Sequence, residues 1–141
     1  YANGTAIGSV NTPINRSNGS GTRDGFNELI KNADGDSLKE LKELKGETQD
    51  QTGSVIERVA GAKNVLGYIS LGSLNDRVKT VSLDGVAATV ENIKEGTYKL
   101  QRPFVLAVKK GAQLSDAAQR FIDFIKSEEG KKIIADFGCI V

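Results

Sequence analysis

The sequence predicts an α/β fold, a mixed sheet with helices flanking it, and three observations carry that prediction. Short β-favouring apolar runs alternate with segments whose apolar residues recur at helical spacing. Serines stand where the helices would begin, and glycines where the chain would turn. The composition, 38% hydrophobic and 26% charged over 141 residues, suits a chain that buries a core and argues against native disorder.

Taken in order, residues 14–16 read as a short strand. Asn18-Gly19-Ser20-Gly21 makes a turn, Ser20 caps the helix that follows, and Phe26, Leu29, Ile30 and Ala33 form its apolar stripe. Residues 34–50 are strongly polar, with Leu38, Leu41 and Leu44 set among lysines and glutamates, the pattern of a small exposed helix. Ser54-Val55-Ile56-Glu57 has capping-box spacing. It predicts a helix from Ser54 that buries Val55, Ile56, Val59 and Ala60 and ends at Gly61. Residues 65–70 and 78–83 read as buried strands, with Asp84-Gly85 as the turn closing the second. A short helix near residues 90–94 precedes the longest strand-like apolar run, 103–108. A helix with Ala118, Phe121, Ile122 and Ile125 on one face comes next. Ser127 caps a last helix that carries Ile133, Ile134 and Phe137. No internal repeat is visible.

Charge and composition narrow the function classes. A formal net charge of +1 gives no field for holding a polyanion, so nucleic acid is not an expected partner and any anion must be held by local geometry. No apolar stretch approaches the length of a membrane span, and the first residues show no basic flank followed by a hydrophobic segment, so a soluble chain is expected. The single cysteine, Cys139, allows no internal disulfide, and with no histidine the usual zinc and haem ligands are lacking. Neither a metal nor a cofactor is expected.

The sharpest local feature is Arg16-Ser17-Asn18-Gly19-Ser20-Gly21-Thr22, set between a predicted strand and a predicted helix. The first turn of a helix offers backbone N–H groups and the positive end of the macrodipole, so an oxyanion placed there meets aimed donors. Ser20 and Thr22 add hydroxyls, Gly19 and Gly21 let the backbone turn tightly, and Arg16 supplies a charged fork suited to tetrahedral oxygens. Read more plainly, Ser20 caps a helix and Asn18-Gly19 is a turn; the letters alone leave both readings open. A nucleotide loop is disfavoured, because no lysine follows Gly21.

From Pro13 to Phe26 the chain resembles the Arg-x-x-x-Ser-Gly-Thr-Arg-x-x-Phe segment of the phosphate-binding proteins that serve phosphate ABC transporters. Further matches follow in order: Leu66-Gly67-Tyr68-Ile69-Ser70, Leu83-Asp84-Gly85-Val86, Gly96-Thr97-Tyr98, Arg102-Pro103-Phe104 and Ser127-Glu128-Glu129-Gly130. The resemblance implies one lobe of a type II periplasmic-binding-protein fold that closes on phosphate between two lobes. It assigns phosphate contacts to Arg16, Ser20, Gly21 and Thr22. Residues 1–98 would form that lobe. Residues 99–141 would be the return strand and C-terminal helices, which in the family pack on the first lobe. The implied partners are inorganic phosphate, the membrane subunits of an ABC transporter and the missing first lobe; the implied location is secreted, cell-surface lipoprotein or periplasmic. Three departures stand out. The first lobe has no counterpart here, Ser17-Asn18-Gly19 stands where many relatives carry an acidic residue between the arginine and Ser-Gly-Thr, and Gly138-Cys139-Ile140 replaces a tyrosine-containing ending typical of relatives.

Other positions read structurally. Tyr68 belongs in the core, Asp84-Gly85 is a turn, Cys139 lacks the histidine base a nucleophile needs, and the Lys39–Lys45 charge alternation is a solvated face. No catalytic residue is expected. Rival readings are a receptor for sulfate or molybdate, a phosphoryl-transfer enzyme, which would need a metal cluster or activated nucleophile, and a structural fragment that binds nothing. Apolar surface left on the last helices is expected to drive self-association or domain swapping.

Overall fold

The structure, a computed structural model, describes residues 12–31, 35, 37 and 46–141. The chain forms two compact units, Tyr1–Gln101 and Arg102–Val141.

The first unit is built on a three-stranded sheet of order β2-β1-β3, from β1 (Thr12–Arg16), β2 (Glu47–Gln49) and β3 (Val65–Leu66). Where a mixed sheet is expected, the described strands all run parallel. Helix α1 (Gly21–Leu29) follows β1 and α2 (Thr52–Ala60) follows β2, which is the βαβ pattern of the predicted α/β class. Pro13 is tolerated in the central strand for a simple reason. At that point β1 pairs only with Leu66 of β3, and pairing with β2 begins one residue later, at Ile14 with Glu47. Among the described residues, Ile14, Val55, Ile56 and Tyr68 are the buried hydrophobic side chains, Ile14 completely so.

Several expected elements differ. Helix α1 ends at Leu29 with Ile30 as its cap, and it buries Gly25 and Asn27 while Leu29 stays exposed; Ala33 lies outside the described residues. Leu38, Leu41 and Leu44 also lie outside them, but residues 47–49, expected to be helical, are strand β2, because the parallel ladder with β1 captures their backbone groups. Gly46 leads into that ladder at φ +131°, and a Cβ there would collide with the Pro13 carbonyl oxygen. Helix α2 begins at Thr52, capped by Gln51 without a side-chain bond, so Ser54 is already inside the helix and the predicted capping box does not form.

The predicted strand 65–70 pairs only through Val65 and Leu66. Two contacts end the ladder. Gly67 presses against α2 so closely that a Cβ would lie 2.7 Å from Val55 Cγ1. Tyr68 then offers its hydroxyl to the Arg16 N–H at 3.1 Å, supplying from a side chain the acceptor that a continuing strand would supply from its backbone. Residues 78–83 are not a strand; Val81 is exposed, and reciprocal Leu83–Val86 bonds close a turn with Asp84 and Gly85 both at positive φ. Helix α3 (Val90–Lys94) forms as expected, capped by Thr89.

In the second unit, residues 103–108 form no ladder and their apolar side chains stay open to solvent, Phe104 at 85%. Helices α4 (Asp116–Lys126) and α5 (Glu128–Asp136) form where expected. Ser115 caps α4, and Ser127 closes α4 and opens α5, accepting from Gly130 N–H at 3.1 Å and donating to the Phe124 carbonyl at 2.6 Å.

Candidate anion-binding site

β1 and β2 end side by side, and the ladder is extended past them by Ser17 N–H donating to the Gln49 carbonyl at 3.2 Å. Beyond those carboxyl ends the chain makes two short crossings, 17–20 into α1 and 50–51 into α2, so both helices begin at the same edge of the sheet. The first crossing is a turn closed by Ser20 N–H on the Ser17 carbonyl, and Gly19 sits in it at φ +88°. A side chain there would meet no obstacle; the glycine is required by backbone conformation.

Ser20 is the cap of α1, accepting from Arg23 N–H at 3.3 Å. Its own O–H remains a donor. Gly21 and Thr22 are the first two residues of the helix, at the positive end of its dipole. Asp24 in the same turn complements that dipole.

Arg16 is 8% exposed and is fixed at every part of its length. Its N–H donates to Tyr68 Oη, Nη1 donates to Thr52 Oγ1 at 3.0 Å, and Nη2 donates to the Asp50 carbonyl at 3.1 Å. Its own carbonyl accepts from Arg23 Nη1 at 2.6 Å. The buried Nε has no hydrogen-bond partner among the described residues. A guanidinium has five N–H donors, so after these bonds it still offers several. Among the described residues neither Arg16 nor Arg23 is ion-paired with a carboxylate. The ring of Tyr68 lies flat on Phe26, centroids 4.0 Å apart, which ties β3's continuation to α1. Burial pushes the Tyr68 phenol up from its ordinary 10.0, against the lowering effects of the Arg16 N–H bond and the charges of Arg23 and Arg16.

The predicted residues Arg16, Ser20, Gly21 and Thr22 thus occupy one strand end, one turn and one helix start. Three participants escaped the sequence. Arg23 lies inside the quoted motif, but its reach back to the Arg16 carbonyl is a tertiary fact. Thr52 and Asp50 are more than thirty positions away from Arg16, and nothing in their letters marks them as its partners.

A parallel sheet with helices starting outside its carboxyl ends defines an α/β module of the ligand-presenting kind. The chain belongs to the PBP superfamily, whose domain pattern matches residues 9–129. It is 41% identical over 125 residues to the phosphate-binding protein PstS 2 of Streptococcus pneumoniae, a match covering 87% of this chain and 42% of that protein. It is 37% identical over 137 residues to the PstS 2 of Streptococcus agalactiae, covering 94% and 46%. Among solved structures it resembles a phosphate-binding protein of a phosphate ABC transporter from S. pneumoniae, with TM-score 0.74, 39% identity and coverage of 89% and 49%. It also resembles a phosphate ABC transporter substrate-binding protein solved with bound phosphate from Clostridium perfringens, with TM-score 0.68, 41% identity and the same coverage. The chain spans about half the length of the relatives it matches.

Proposed function

We propose that this chain is the anion-gripping lobe of a phosphate receptor that delivers inorganic phosphate to an ABC transporter and does not alter it chemically. The observation that carries the reading is Arg16: a buried guanidinium with an unpartnered Nε, held at the start of α2 by Thr52 and Asp50, on the strand end that leads into α1. A buried donor on a charged group left unpaired costs about 1–3 kcal/mol or more, and an oxyanion relieves that cost. Ser20, Thr22 and the N-terminal amides of α1 supply further donors, and Gly21 allows close approach. The names of the relatives support phosphate as the anion.

In this reading residues 1–98 form the lobe and residues 99–141 pack on a first lobe that completes the phosphate shell. The receptor works outside the cytoplasmic membrane, secreted, periplasmic or lipid-anchored, against the membrane subunits of its transporter. Sulfate is the second anion to test, because the described donors do not distinguish a protonated oxyanion from an unprotonated one.

The test is a titration with phosphate and separately with sulfate, following backbone amide shifts in the wild type and in Arg16→Ala. Phosphate is expected to move the amides of residues 19–23, with a response in the variant that needs much higher phosphate. An Arg16→Ala chain that responds like the wild type would remove the cradle from the account.

A further inference from the structure

We infer that Thr52, together with the Asp50 carbonyl, is the positioning element for the Arg16 guanidinium. The inference rests on the anion-receptor reading above. Nη1 is held by Thr52 Oγ1 at 3.0 Å and Nη2 by the Asp50 carbonyl at 3.1 Å, so both arms of the fork are fixed from the β2–α2 crossing.

Both acceptors are neutral, and that choice has an electrostatic consequence. A carboxylate would orient the fork and cancel its charge; a hydroxyl and a carbonyl orient it and leave the full charge for a ligand. The crossing is itself held rigidly. Ser17 N–H bonds the Gln49 carbonyl, and Arg58 of α2 grips Glu47 of β2 through two bonds of 2.7 and 2.6 Å. Thr52 is the first residue of α2, a position whose side chain contributes nothing to the helix ladder, so its hydroxyl can be removed without breaking the element that carries it.

The experiment compares Thr52→Val, Thr52→Ser, Arg16→Ala and the Thr52→Val/Arg16→Ala double variant in the full chain. Two readouts are used: rotation of the Arg16 guanidinium, followed through its side-chain ¹⁵N–¹H signals without ligand, and affinity for inorganic phosphate. Thr52→Val is expected to speed guanidinium rotation and to lower phosphate affinity about tenfold. Thr52→Ser should restore both, and Thr52→Val should lower affinity no further once Arg16 is alanine. Wild-type rotation in Thr52→Val overturns the inference whether or not phosphate binds. So does an equal loss of affinity in the Arg16→Ala background, which would mean that Thr52 acts on the anion independently. A wild-type chain blind to phosphate sinks the receptor reading instead, and the rotation readout still decides the role of Thr52.

Discussion

Tyr68 does two jobs that a phenylalanine could only half perform. Its ring stacks on Phe26, and its hydroxyl accepts the N–H of Arg16, the residue on which the proposed anion site rests. Tyr68→Phe keeps the stack and strands a buried N–H. It should lower stability by about 1–3 kcal/mol, as read by urea denaturation. An unchanged midpoint would mean that water satisfies that N–H. The phenol also fixes a pH response. Burial raises its pKa above 10.0, so the stability it contributes is complete below the unfolded-state value and is lost as pH rises through the folded-state value. That alkaline loss should be absent in Tyr68→Phe. The sequence marked Tyr68 as a core tyrosine, which is correct. It could not say that the partner would be Arg16, because the two are 52 positions apart and meet only when β1 and β3 pair.

At the scale of elements, helices were more legible than strands, although β1 was found where expected. Ser20, Thr89, Ser115 and Ser127 cap α1, α3, α4 and α5 through bonds spanning three residues, so the signal and the structure are equally local. Strands need partners. Residues 47–49 looked like helix and are strand, whereas 78–83 and 103–108 have β-favouring letters and no ladder. The β2–α2 pair is clamped by the Arg58–Glu47 fork, which holds the Glu47 carboxyl below its ordinary value. Its contribution is therefore present above the unfolded-state pKa of Glu47 and lost as pH falls through the depressed one. Both groups are partly exposed, so salt should weaken it as well. Thermal melts across acidic pH should show a component that disappears in Glu47→Gln and shrinks at high salt. A wild type and variant with the same acid profile would count against the clamp.

At the scale of the molecule, the second unit carries apolar surface that its own residues do not cover. Phe104 and Phe137 are 85% and 80% exposed, and Phe121, Val105 and Leu106 are also open. Surface of this kind ordinarily marks an interface. The chain by itself should self-associate, with sedimentation showing a concentration-dependent shift beyond monomer, and Phe104→Asp should reduce it. A monomer throughout the concentration range would contradict this.

What the sequence determined by itself was what depends on near neighbours: the α/β class, the Ser20 and Ser127 caps, the Asp84-Gly85 turn, and the strand–turn–helix that carries Arg16, Ser20, Gly21 and Thr22. These features are set within a few residues of their cause. Tertiary structure alone decided which strands found partners, that Tyr68 would finish the ladder at Arg16, and that Thr52 and Asp50 would hold the guanidinium. Each of those is a contact between distant segments, fixed by sheet order and register, and none can be read from the letters that make it.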